Sequence, residues 1–477
     1  MIKDHIFNLL KTYFDHELTS GQNNFLMNFP DFILFPGKKE LVLLKGYAGT
    51  GKTTVMKSVV KTLSKLKLRS VLLAPTGRAA KVLANITGKP AFTIHKKIYR
   101  QRSAKDGFGT FVLNKNLYSN TIFIVDEASM ISNTRIDNTV FGSGKLLDDL
   151  LSFVISGNKC KLVLVGDVAQ LPPVGKVISP ALEPDELELY GFDVKEFYFN
   201  EVVRQAENSG ILWNATHIRQ TIASGANSMP GLHLGGFEDI SYVMGNDFLE
   251  ELSNSYDDTG VEDTIVVVRS NKQANKYNAG IRNRILWREE EITVGDLMMV
   301  VKNNYHWIDD NEMVDFIANG DIFEILKIYG YTERYGRRFA DLEIRLVDYN
   351  DIELNVKVML DIIGLETASM SSESNKEFFY LVADDYSDLK PKKKMYDAVK
   401  EDDFFNALQV KFSYAVTCHK AQGGQWKNVF IDHGYFVDDM MNTEYLRWLY
   451  TAFTRATEKL FLVNFSKKFL EDQDTFY

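Results

Sequence analysis

Cysteine is nearly absent from this chain: Cys160 and Cys418 are the two among 477 residues. Both sit in apolar, strand-like company, so a disulfide framework and a zinc cluster are excluded together, and the cytoplasm is the expected compartment. Long apolar runs are missing as well. No uninterrupted stretch reaches the ~20 residues a membrane span needs. The N-terminal MIKDHIFNLLKTYF interleaves charges with its apolar positions as an amphipathic helix does, without the small-residue cleavage site of a signal peptide. An excess of positive charge is lacking too, since 55 Lys and Arg stand against 64 Asp and Glu, a net charge of −9. This weighs mildly against nucleic acid without excluding it, because a basic channel in an acidic protein still releases counterions locally. HKKIYRQRSAK, residues 95–105, is such a local cluster with an aromatic inside it, although a solvated basic face produces the same run. Neither an internal repeat nor a low-complexity tract is present.

What is present is a regular alternation. From residue 41 onward the β-rich runs LVLLK, SVLLAP, TIFIVDE, KLVLVGD and EFYFNEV alternate with helix-patterned segments, and a second set starts at TIVVVRS and returns at KFSYAVT, NVFIDH and KLFLVNF. Parallel sheets covered by helices on both faces read this way, so the class is α/β with two domains. Between about Leu286 and Lys411 the texture changes to polar–apolar alternation with Gly and Asn turns, as in a small antiparallel barrel, followed by a charged segment that turns helical around 395–408.

GYAGTGKTT, directly after LVLLK, fits G-x-x-x-x-G-K-[ST] between a strand and a helix. The glycines let backbone N–H groups close around phosphates, Lys52 reaches the β and γ oxygens, and the Thr53 hydroxyl suits magnesium. TIFIVDEAS adds an apolar strand ending in Asp126 and Glu127, a metal-holding carboxylate and a water-orienting one. These features establish an NTPase and leave its use open, because kinases, adaptors and motors share them.

The remaining motifs discriminate. LTSGQNNF (18–25), GYAGTGKTT, LAPTGRAAKVL (73–83), TIH (93–95), IVDEASM, VGDVAQLPPVG (165–175), VVRQ (202–205), YAVTCHKAQGGQW (414–426) and LYTAFTRATEKL (449–460) together resemble the superfamily 1 helicases of the RecD and Dda type, DNA translocases that move 5′ to 3′. The resemblance implies two RecA-like P-loop domains. The first spans 1–205 with a short β-hairpin insertion at about 90–119. The second is formed by 206–286 and 411–477, with an SH3-like β-barrel plus helical arm inserted at 287–410.

It also implies roles for particular residues. ATP and Mg2+ would be held by Gly46, Ala48, Gly49, Thr50, Gly51, Lys52, Thr53 and Thr54, with Thr53 and Asp126 on the metal. Gln22 would read the adenine N6 and N7 edge, for which an amide is the chemical complement. Gln170 would sense the γ-phosphate, and Arg204 and Arg455 would be arginine fingers, a planar permanent charge suited to a transferring phosphoryl group. Pro75, Thr76, Thr93 and His95 on the first domain and Thr417, His419, Lys420 and Gln422 on the second would track the phosphates of a single strand. Phe111, at the start of FVLN, would be a wedge stacking on the last base at the fork, while the competing expectation is a ring that packs the hairpin.

This chain departs from the family pattern at Gln425, where relatives often carry an acidic residue. No long domain precedes residue 18, so a free-standing enzyme is expected rather than a docked subunit of a RecBCD-like complex. The expected partners are single-stranded DNA and the DNA fork, with no membrane, a monomeric motor and single-strand-binding or replication and repair proteins as companions. Two other readings stay open: an RNA-directed helicase, since backbone contacts distinguish the sugars poorly, and a non-motor P-loop ATPase acting as a binding switch.

Overall fold

The computed structural model describes residues 2–34, 39–101, 111–135, 141–202, 208–308, 316–347, 349 and 352–471. Two parallel sheets form its frame. The first runs in the order Ala91–Thr93, Arg69–Ala74, Thr121–Val125, Lys161–Gly166, Glu40–Gly46, Asp193–Phe199. Leu41, Val42, Leu43 and Leu44 are each fully buried. Helices cover both faces, so these strands carry continuous apolar runs and not an alternation. The second sheet has the order Ala415–Thr417, Thr264–Val268, Trp426–Asp432, Ala456–Val463, Ile240–Val243, again all parallel. In both sheets the loops at the carboxyl ends of the strands carry the motifs, which is where open α/β sheets bind ligands.

Leu297–Val300, Ile322–Arg334, Arg337–Leu346, Ile352–Met359 and Leu408–Phe412 close into a five-stranded barrel. A period-two pattern is visible in the outer half of Ile322–Arg334, where Lys327, Tyr329 and Tyr331 stand outside, while Phe323 and Ile325, of the same parity, are buried because the register shifts between Ile325 and Lys327. The arm, helices Ser372–Asp384 and Lys392–Lys400, buries Phe378, Val382 and Val399 against Phe339 and Met359 of the barrel. The insertion is rooted on Asp296, which is fully buried and accepts from Arg282 (2.9 Å), Arg288 (2.8 Å), the Tyr414 hydroxyl (2.8 Å) and Thr293 N–H (2.7 Å). Held by two guanidinium groups, a hydroxyl and a backbone N–H, this buried charge fixes the root of the barrel against the second sheet.

Tyr99–Gln101 and Phe111–Leu113 pair antiparallel as the hairpin. The structure corrects the expectation for Phe111. Its ring is 6% exposed and packs against Tyr305 (4.4 Å between centroids), Phe141 (4.9 Å) and Phe316 (6.3 Å), so it joins the hairpin to the segment between the first two barrel strands and is not free to stack on a base.

His433 shows what burial without a partner costs. It is 4% exposed, among Phe465, Phe469 and Phe436, and among the described residues neither ring nitrogen has a hydrogen-bond partner. Burial pulls its pKa down to about 4, against the opposing Asp432 carboxylate. The unfolded ring titrates at ~6.5, so the unfolded state binds the extra proton as pH falls from there towards 4, and stability present at neutral pH is lost in that window, by about 2 kcal/mol at pH 5. His433→Phe removes this dependence. The melting temperature of the variant relative to the parent is expected to rise as pH is lowered from 8 to 5, and a constant difference would show that the ring is not buried neutral.

Candidate nucleotide site and nucleic-acid interface

The P-loop follows the strand Glu40–Gly46 and ends at the 14-residue helix Lys52–Lys65. Gly49 (φ 71°) and Gly51 (φ 77°) take the left-handed conformation that turns successive N–H groups inward, and a Cβ at Gly46 would stand 3.0 Å from both Lys52 Cγ and Phe199 Cβ. Lys52 Nζ donates to Tyr47 O (2.8 Å) and lies 3.9 Å from Asp167 Oδ2. Thr53 and Thr54 open the helix, half-buried. A helix N-terminus, a lysine and left-handed glycines form a cradle for polyphosphate, so the residues fit a nucleotide.

Asp126 follows its strand with its Oδ1 accepting from Glu127 N–H at 2.9 Å. Burial, and then the neighbouring Glu127 carboxylate, push its pKa up to about 6. A divalent cation beside it would hold it ionised, the usual inversion at metal sites. The Gln170 amide fits with its nitrogen towards Glu127 Oε2 (3.2 Å) and its oxygen towards Arg455 Nη2 (3.2 Å). Gln170 is therefore the link between the Glu127 carboxylate of the first domain and Arg455 of the second. Arg455 is 2% exposed and further held by Thr451 O (3.0 Å), Gly424 O (3.1 Å) and Thr454 Oγ1 (3.0 Å). Arg204 lies outside the described residues.

Three of the expected roles change. Gln22 is fully buried, donating to Thr50 O (2.9 Å) and accepting from Thr19 N–H (3.0 Å). The nitrogen end of its amide braces the P-loop and the oxygen end caps the start of its own helix, which replaces the adenine contact. Gln422 is 8% exposed and donates to Leu171 O at 2.7 Å, so it bridges the two domains and does not face a strand. The third is Phe111, described above. Thr50 shapes the loop as well, its hydroxyl donating to Tyr47 O (2.7 Å), and the Ala48 N–H donates to the Tyr450 hydroxyl (2.8 Å).

The other strand-tracking candidates occupy the strand-end loops. Pro75 and Thr76 follow the strand Arg69–Ala74, and Thr76 Oγ1 caps the next helix by accepting from Ala79 N–H (3.2 Å). Thr93, 6% exposed, does the same for Lys96 N–H (3.2 Å). Thr417 is half-buried, His419 is exposed, and Lys420 donates to Asn319 of the barrel, its pKa drawn down to about 8 by burial and then by Lys411. His95 packs its ring on Phe141 (4.8 Å) and Tyr99 (5.8 Å), and burial lowers its pKa to about 4, so it is a neutral aromatic surface and not a cation. It borders a cavity of about 600 Å³ between the hairpin and the insertion, with Ser132, Lys302, Asn303 and Asn319 among the polar groups on its walls.

The sequence reading missed a row on the helix Thr443–Phe453. Arg447 donates to Val168 O and to Gln170 O (3.2 Å), Thr451 Oγ1 accepts from Leu171 N–H (2.8 Å), and the Tyr450 hydroxyl donates to Asp167 Oδ2 (2.7 Å). The spacing 447, 450, 451 puts these side chains on one helix face, the signal that could have found them.

Two family models match the chain: an AAA domain over residues 36–176 and a UvrD-like helicase C-terminal domain over 412–463. Among curated proteins, the uncharacterized protein R530 of Acanthamoeba polyphaga mimivirus is 24% identical, covering 88% of this chain and 94% of its own. The ATP-dependent DNA helicase dda of Enterobacteria phage T4 is 27% identical over 87% of this chain and 92% of its own. The ATP-dependent RecD2 DNA helicase of Deinococcus radiodurans is 37% identical over 28% of this chain and 16% of its own. The first model ends its match beyond Gln170 and the second spans Arg455, so the matched segments carry both partners of the link across the cleft. With two parallel sheets, an inserted barrel and these matches, the chain is similar to the superfamily 1 helicases of the RecD and Dda type.

Proposed function

We propose that the protein is an ATP-dependent DNA helicase that translocates 5′ to 3′ on single-stranded DNA and separates duplex strands at a fork. The observation that carries this reading is the Glu127–Gln170–Arg455 link, which joins a hydrolytic site on one domain to an arginine of another. A switch ATPase has no need of such a second domain, whereas a motor needs hydrolysis to change the relation of two domains.

The motor would consist of 1–205 and of 206–286 with 411–477, the barrel and arm at 287–410 being inserted. ATP would supply the phosphoryl group, and Thr53 and Asp126 would hold Mg2+, which would neutralise its charge. Lys52 and the P-loop N–H groups orient the phosphates, Glu127 accepts a proton from the attacking water, and Gln170 keeps that carboxylate aligned with Arg455. Thr76 on one domain and Thr417 on the other stand at strand ends as phosphate grips, and His95 offers a ring to a base. Separation of duplex DNA must overcome ~1.4 kcal/mol of stacking per base-pair step.

The ATPase rate measured alone, with single-stranded DNA and with RNA tests the substrate: strong stimulation by DNA is expected, stimulation by RNA alone would assign an RNA motor, and stimulation by neither would assign a switch. Polarity is tested separately. A partial duplex with a 5′ tail is expected to be unwound and one with only a 3′ tail left intact; the opposite preference would overturn the direction. Tail binding should weaken steeply with salt.

A further inference from the structure

Arg78 and Trp426 meet across the cleft. Arg78 lies in the first turn of the helix Gly77–Thr87, two residues after Thr76, and its guanidinium carbon is 4.0 Å from the centre of the Trp426 ring. Arg78 Nη2 also donates to Gln425 O at 3.4 Å. Trp426 is 3% exposed and opens the strand Trp426–Asp432 of the second sheet. Its surroundings are built for close approach. A Cβ at Gly424 would stand 2.5 Å from the Trp426 ring and 3.0 Å from Arg78 Cδ, and at Gly423 (φ 76°) it would meet Ala79 Cβ and Thr76 Oγ1, each at 3.0 Å. Two consecutive glycines are thus required for the two domains to touch here.

The same segment is bonded to Arg455. Trp426 N–H donates to Arg455 O (3.0 Å), and Arg455 Nη1 donates to Gly424 O (3.1 Å). Arg455 in turn faces Gln170, which faces Glu127. A continuous series of contacts runs from the helix capped by Thr76, through the stack, to the carboxylate that orients water. We infer that Arg78 and Trp426 are positioning residues that couple the occupancy of the single-strand grip to hydrolysis, a role that rests on the motor reading above. In QGGQW the cross-cleft contact is made by the Trp426 ring and the Gln425 backbone carbonyl. A ring and a guanidinium can slide past one another while staying in contact, which suits an interface that must shift during a cycle and not come apart.

The test compares the parent with Arg78→Met, which keeps the aliphatic length and removes the charge, and with Arg78→Lys. For each, the ATPase rate is measured without DNA and at saturating single-stranded oligonucleotide, together with oligonucleotide affinity and melting temperature. Arg78→Met is expected to lower the DNA stimulation of the ATPase about ten-fold, with DNA-free rate and affinity within about two-fold of the parent, and Arg78→Lys to restore part of it. Added to Arg78→Met, Trp426→Leu should cost no further stimulation. Parental stimulation in Arg78→Met would overturn the inference. So would weakened oligonucleotide affinity with full stimulation at saturation, which would make Arg78 a strand contact, or an equal fall of both rates with a lowered melting temperature, which would make it structural. A parent not stimulated by single-stranded DNA would remove the motor reading, and this inference with it.

Discussion

Lys52→Ala is expected to reduce DNA-stimulated ATP hydrolysis by about 100-fold or more, while binding of a single-stranded oligonucleotide stays within about two-fold of the parent. The Lys52 ammonium, 2.8 Å from Tyr47 O, is the cation within the P-loop, and its loss leaves a polyphosphate facing N–H dipoles alone. Asp167 would not be stranded, because it keeps the Tyr450 hydroxyl at 2.7 Å and the Ala169 N–H at 2.9 Å. The fold should therefore survive, and an unchanged melting temperature is the control. The strand candidates Thr76 and Thr417 lie on other loops and cap other helices, so their contacts do not pass through Lys52. Hydrolysis near the parental rate would remove the nucleotide-site assignment, and with it the chemistry assigned to Glu127 and Gln170.

The contrast between Lys52 and Gln22 shows how much of the site could be read in advance. Lys52 is legible because its motif fixes backbone and side chain together: left-handed glycines at 49 and 51 and a helix starting at 52 leave its ammonium one region to occupy. A glutamine amide carries a donor and an acceptor that a protein backbone satisfies as well as an adenine edge does. Gln22 found Thr50 O and Thr19 N–H, and Gln422 found Leu171 O. Nothing in one sequence ranks those partners against a ligand, because they come from residues 28 and 251 positions away in the two longer-range bonds. The sheets were legible for the opposite reason: LVLLK, TIFIV and KLVLV are buried on both faces wherever their neighbours lie, so the apolar run alone identifies them. The barrel followed from alternation. What alternation does not give is the Asp296 hub, whose donors come from positions 282, 288, 293 and 414 and converge only after the insertion has closed.

Phe111→Ala is expected to destabilise the protein by about 3–5 kcal/mol, the cost of deleting a buried phenyl ring together with the cavity it leaves. Phe111 is the hairpin's share of an aromatic cluster in which Tyr305 and Phe316, from the chain leading through the insertion, meet Phe141 of the first domain. Its backbone is tied into the same place, the Phe111 carbonyl accepting from Gly142 N–H at 2.7 Å. Expecting a wedge at this position rested on a segment too short to own a core, and the segment instead borrows one from across the molecule. Since the ring holds hairpin and insertion together, its removal should lower the melting temperature by several degrees and depress ATPase, translocation and unwinding in parallel. Phe111→Leu, which keeps most of the apolar volume, should recover most of the loss. The measurement pairs a thermal melt of each variant with unwinding at a temperature well below its midpoint. Unwinding abolished in Phe111→Ala with an unchanged melt and intact single-strand translocation would return the ring to the fork and sink the packing account.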